Sequence, residues 1–185
     1  MNKHSNIGIA CLYADYHNQS NQTLTHILGS FVRQLLTSAQ VPIPDEIIQK
    51  LNRIQYYNRE VGTEDTLEFL KVQLRQLKCA FICIDAVDEL GPKVRQQLLS
   101  ILKELATNSN IRLFLTGRGH IETEVQNHFE IPQGYTVNIS ANQDDIREFV
   151  RQQIRENYDG MNPEAMDEVL AKDIENTIIE KSKGT

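Results

Sequence analysis

Cys79 to Glu89 reads CAFICIDAVDE, and this stretch decides the fold. Apolar residues run without alternation from Cys79 to Ile84 and end abruptly at Asp85. A strand with one wet face alternates apolar and polar residues, whereas an unbroken run suits a parallel strand covered on both faces. Asp85, Asp88 and Glu89 then fall at or just past the carboxyl tip of that strand, where open α/β sheets bind ligands. A carboxylate at such a tip can hold Mg²⁺ through oxygen and water. A second one nearby can orient or deprotonate a water that attacks a terminal phosphate. The spacing alone equally fits a strand that ends in acids before a helix, with Asp88 or Glu89 supporting the turn.

Working outward, the pattern repeats on both sides. Downstream, Gly91-Pro92 opens a helix, since proline suits a first turn. Leu98, Leu99, Leu102 and Leu105 form its inward face. Ile111 to Thr116 (IRLFLT) reads as another strand, followed by Gly117-Arg118-Gly119. That strand delivers Thr116 and Arg118 to the same sheet edge as Asp85. A guanidinium there matches phosphate oxygens in geometry and charge. Taken alone, the loop reads more plainly as a solvated arginine between two glycines that turn the chain. A short amphipathic segment follows around Ile121, Val125 and Phe129, and Tyr135 to Ile139 (YTVNI) predicts a fourth strand. Ser140 and Gln143 have capping-box spacing and start a helix with Ile146, Phe149, Val150 and Ile154 as its buried stripe. Asn162-Pro163 starts a last helix through Met166, Val169, Leu170, Ile174 and Ile178.

Upstream, Ile7 to Tyr13 (IGIACLY) is a short apolar run suited to a strand. Leu24, Ile27, Leu28, Phe31, Val32, Leu35 and Leu36 recur at helical spacing until Val41-Pro42-Ile43-Pro44 breaks the helix. A second helix carries Ile47, Ile48, Leu51 and Ile54. After Gly62 a third begins, with Thr63 as N-cap, Glu64 and Asp65 in the first turn, and Leu67, Leu70, Leu74 and Leu77 facing inward. Strands alternating with helices predict an α/β fold with a mainly parallel sheet.

The chain has 185 residues, 40% hydrophobic and 24% charged, enough for one domain with a real core. A net charge of −6 argues against a general nucleic-acid or membrane-surface binder. No apolar stretch reaches the roughly 20 residues of a membrane span, and Met1 to Ser5 has no signal-peptide pattern. Cys11, Cys79 and Cys83 sit in apolar runs, which predicts buried, reduced thiols in a cytoplasmic protein. No Cys or His pair has zinc-ligand spacing.

Three segments carry a family resemblance. CAFICIDAVDEL resembles the Walker B segment of NACHT-type signalling NTPases, and IRLFLTGRGHIETEV resembles their sensor-1 strand and loop. NIGIACLYADYHNQSNQTLTHILGSFVRQLL looks like the second strand and following helix of the same domain. The resemblance is strongest to the nephrocystin-3-like N-terminal domain common in fungal NACHT proteins, often fused to ankyrin or similar repeats. It implies a three-layer P-loop NTPase-like fold with a mainly parallel sheet flanked by helices. It also implies that Asp85 is the Mg²⁺-associated acid, that Asp88 and Glu89 are catalytic or water-positioning, and that Arg118, with Thr116 beside it, faces the nucleotide. Ala86 stands where many of these proteins have glycine, a small-for-small change of little consequence. Gly117 and Gly119 replace a frequent Ser and Pro, which makes the loop more flexible.

A phosphate-binding loop would read Gly-x-x-x-x-Gly-Lys, and none of the nine glycines opens that pattern. In the family it precedes the strand at Ile7. Residues 1–140 are therefore expected to form a partial NTPase core lacking its first strand and phosphate loop, and 141–185 helices leading toward a helical lid. The strands at Ile7, Cys79 and Ile111 should pair in that order, with the strand at Tyr135 standing off or pairing directly with the one at Ile111. The function implied is part of an ATP- or GTP-dependent signalling switch, with Mg²⁺ and nucleotide bound by the complete domain and neither by this piece. Repeat or effector domains and other proteins are the expected partners, with no nucleic acid and no membrane. The alternatives are a nucleotide-independent interaction or scaffold module, using the helices at Leu24 to Leu36 and Met166 to Ile178, and a truncated gene product.

Overall fold

A computed structural model describes residues 6–39, 41–130, 135–139, 142–158 and 168–182. The elements run β1 (Ile7–Tyr13), α1 (Leu24–Ala39), α2 (Asp45–Tyr56), α3 (Thr63–Arg75), β2 (Cys79–Asp85), α4 (Pro92–Asn108), β3 (Ile111–Leu115), α5 (Glu122–Phe129), α6 (Gln143–Tyr158) and α7 (Glu168–Ser182). The chain divides into two compact units, Met1–Ile131 and Pro132–Thr185.

The first unit is built on a three-stranded sheet in the order β1-β2-β3, parallel throughout. This is the pairing order that the sequence predicts. Its register places Tyr13 beside Asp85 and Ile84 beside Leu115, so all three strands end on one rim. Ala10 of β1, Ala80, Ile82 and Ile84 of β2 and Ile111 of β3 join a single core with Leu28, Phe31 and Leu35 of α1, Leu70 and Leu74 of α3, and Leu98, Leu99, Leu102 and Leu105 of α4. The approach of α1 to β1 is close enough that a Cβ on Gly8 would lie 2.7 Å from methyl groups of both Leu35 and Leu77.

Two expectations fail here. The run from Cys79 to Ile84 is covered on one side only, because Ala80, Ile82 and Ile84 are buried while Phe81 is 42% exposed. Ile9, Tyr13 and Phe114 are exposed as well. An unbroken apolar run states that both faces tolerate burial, but helices have to arrive to provide it. The second failure is at Tyr135–Ile139, which carries no strand and exposes Tyr135, Val137 and Ile139. A β-prone run of five residues forms a strand only where a neighbour supplies its ladder bonds.

The outer edge of β1 is closed by side chains of α1. The Ile9 amide donates to Ser38 Oγ at 2.8 Å and the Ser38 hydroxyl donates back to the Ile9 carbonyl at 3.0 Å. Gln34 does the same for Cys11, accepting from its amide and donating to its carbonyl, each at 2.8 Å. Edge groups satisfied this way cannot recruit another strand.

At the start of α3 the N-cap is Gly62 rather than Thr63. The Thr63 hydroxyl instead shares a 2.6 Å hydrogen bond with that of Thr25 on α1. The cap works through Asp65, whose Oδ2 accepts from the Gly62 amide at 2.9 Å. The three cysteines are half-buried rather than fully buried as the sequence suggested.

In the second unit, α6 and α7 pack through Val150 and Ile179. Glu175 is buried there and held by Arg151, whose Nε and Nη2 each donate at 3.0 Å. Phe149, expected in the buried stripe, is 63% exposed. Asn142 Oδ1 accepts from the Asp144 amide at 2.9 Å at the head of α6. The expected capping role of Ser140 and the helix start at Asn162-Pro163 lie outside the described residues. Among the described residues no helix is long and apolar enough to cross a membrane.

Candidate functional site

The rim where the strands end gathers all five residues singled out in the sequence. Asp85 is the last residue of β2 and is exposed. The Thr116 hydroxyl, one residue past β3, donates to Asp85 Oδ1. The same hydroxyl accepts from the Ala86 amide at 2.9 Å, while the Thr116 carbonyl accepts from the Val87 amide at 2.8 Å. Its own amide donates to the Ile84 carbonyl at 2.9 Å. Thr116 therefore clamps the end of β2 through every polar group it has, a structural role that the sequence did not reveal.

Beyond Asp85 the chain turns sharply. Ala86 has φ 54° and ψ 49°, the left-handed region that favours glycine. The turn continues as a short 3₁₀ helix, Val87–Glu89, which brings both acids back over the rim. The Asp88 side chain is 4% exposed and lies against the arginine loop. Its Oδ1 accepts from the Arg118 amide at 3.2 Å, and its Oδ2 is 3.6 Å from Arg118 Nε. Arg118 Nη2 donates to Glu89 Oε1 at 3.4 Å, so one guanidinium spans both acids. Glu89 also accepts the Tyr16 amide on Oε2 at 3.2 Å, and its carbonyl accepts from Gln19 Nε2 at 2.8 Å.

Space is short around Gly117. A Cβ there would lie 2.7 Å from Ile121 Cδ1 and 3.2 Å from Asp88 Oδ1. Gly119 meets nothing within 4 Å, so a side chain would fit there.

Sequence reasoning missed two supports. Arg95 on α4 donates from Nη1 to the Leu90 carbonyl at 3.1 Å and is held by Glu124 of α5 at 2.9 to 3.2 Å. No local spacing links these residues, which are 29 positions apart. Tyr16 and Gln19 were legible in principle, because the loop after β1 must emerge on the same rim as the tips of β2 and β3 in a parallel sheet.

The donor set is one of hard oxygens: carboxylates at Asp85, Asp88 and Glu89 and a hydroxyl at Thr116. Among the described residues no three His, Cys, Asp or Glu side chains converge to hold a metal ion. One exposed carboxylate does suit Mg²⁺, which keeps several waters and is commonly held by one or two carboxylates together with phosphate oxygens.

Fold and rim together define an α/β domain with an acid–arginine cluster at the carboxyl end of a parallel sheet. The chain belongs to the nephrocystin-3 N-terminal family, whose model (Nephrocystin 3, N-terminal) matches residues 1–118. That match runs from before β1 through Arg118 and so takes in the whole rim. No curated protein matches the chain.

Proposed function

We propose that this rim is the Mg²⁺- and phosphate-facing part of a nucleotide-dependent switch of the NACHT type, acting with ATP or GTP in the complete domain. The observation that carries the reading is the convergence of Asp85, Asp88, Glu89, Thr116 and Arg118 on one rim, tied across neighbouring strand tips. Asp85 is the residue to hold Mg²⁺, which would supply charge neutralisation at the phosphates when bound. Thr116 fixes the direction of that carboxylate. Glu89, more open than Asp88, is the better placed acid to position a water. Arg118 is the phosphate-sensing group, and it now neutralises the acidic pair. A phosphate at the rim would compete with Asp88 and Glu89 for that guanidinium, which links occupancy to the loops carrying them.

Phosphate affinity in such domains rests largely on a glycine loop that cradles oxygens with backbone amides, and these 185 residues contain no such motif. Titration of this chain with Mg-ATP or Mg-GTP in a calorimeter is expected to show no binding tighter than about 1 mM, roughly 4 kcal/mol. Micromolar binding would overturn the assignment of affinity to the glycine loop. In a longer protein that includes such a loop, Asp85→Ala is expected to abolish nucleotide-dependent signalling. Unchanged signalling would favour a scaffold instead. Cytoplasmic residence and partnership with repeat or effector domains belong to the same proposal.

A further inference from the structure

Cys11 and Cys83 are register partners on the neighbouring parallel strands β1 and β2. Their sequence neighbours Ala10, Ile82 and Ile84 are buried in the core, so both thiols stand on the open side of the sheet. Both are half-buried and free, and burial, followed by the neighbouring Cys11, pushes the Cys83 thiol up. Adjacent strands lie about 4.8 Å apart, inside the roughly 4.4–6.8 Å of Cα separation that a disulfide spans. Cys79, on the same side of β2, is paired in register with Ile7. Four residues of strand, about 13 Å, separate it from Cys83.

We propose that Cys11 and Cys83 form a reversible oxidation site, converted by hydrogen peroxide into a disulfide that joins β1 to β2. In the first step one thiol sulfur attacks a peroxide oxygen. An S–O bond forms, the O–O bond breaks, and the departing oxygen leaves as water with the proton of the thiol. The second sulfur then attacks the sulfenic sulfur, forming the S–S bond and releasing the other oxygen as water. Two thiols lose two electrons in total, and one peroxide is reduced to two waters. A dithiol reductant reverses the change by exchange. The site stands independently of the nucleotide reading, because it uses neither the acids nor the arginine of the rim.

The test treats the whole chain with hydrogen peroxide, counts free thiols, and maps cross-linked peptides by mass spectrometry. The expected result is loss of two of the three thiols, a mass lower by two hydrogens, a Cys11–Cys83 cross-linked peptide in monomeric protein, and full recovery with dithiothreitol. Cys79→Ser should give the same cross-link. Cys11→Ser should give none and leave Cys83 as a sulfenic acid that a dimedone-type reagent traps. A cross-link through Cys79, a disulfide between two chains, or three thiols oxidised singly would overturn the proposal. Peptide mapping of the unsubstituted chain decides the matter even if a variant fails to fold.

Discussion

Ala86 shows how a single dihedral angle can escape a sequence. The substitution of alanine for a frequent glycine reads as harmless by size, yet φ is 54° here. An L-residue in the left-handed region costs about 1–2 kcal/mol, set against a gain of up to about 1 kcal/mol from alanine's smaller unfolded-state entropy. Ala86→Gly is therefore expected to stabilise the protein by about 0.5–1 kcal/mol, seen as a higher urea midpoint with an unchanged slope. A lower midpoint would mean that the turn holds alanine without strain. Gly117 is the converse case. Its φ lies outside the left-handed region, and a Cβ there would press on Ile121 and Asp88.

The head of α3 argues at the scale of an element. Asp65 is 5% exposed and accepts hydrogen bonds from the Gly62 amide and from both Arg59 terminal nitrogens, at 2.7 and 3.1 Å, with Lys50 at 3.3 Å. The Arg59 guanidinium, followed by the Gly62 amide, holds its carboxyl well below the usual carboxylate range. The folded-state value is depressed, so the stabilisation is fully present above the unfolded value of about 3.9 and is lost as pH falls through the folded one. The melting temperature of the chain is thus expected to drop more steeply below about pH 4 than that of Asp65→Asn. At neutral pH the variant should be less stable by about 1.5–3 kcal/mol, since charged hydrogen bonds to a buried acid are removed. Parallel acid profiles for the two proteins would show that the pairing contributes nothing.

The open side of the sheet is a property of the whole first unit. Ile9, Phe81 and Phe114 stand on it with 50, 42 and 64% of their surface exposed. These exposed side chains come from all three strands and lie on one face of the sheet. An environment-sensitive apolar dye is expected to bind the chain in its native state, and Phe81→Ser with Phe114→Ser to cut that fluorescence by at least half. The stability cost should stay near 1 kcal/mol, because neither side chain belongs to the core. Fluorescence unchanged by the pair would place the dye elsewhere.

Periodicity supplied the three strands and the helices between them, and the family resemblance supplied the order in which the strands pair. Periodicity also put Asp85, Asp88, Glu89, Thr116 and Arg118 on one rim, because strand tips in a parallel sheet share a side and the acids and the arginine directly follow apolar runs. Tertiary structure decided the rest. Local pattern could not say which face of β2 would be covered, since coverage depends on where α1, α3 and α4 settle. Nor could it give Tyr135–Ile139 a partner strand, or reveal that Arg95 reaches over to brace the turn after Asp85. Apolar spacing is written residue by residue along the chain, whereas burial, ladder bonds and long-range ion pairs exist only once distant segments meet.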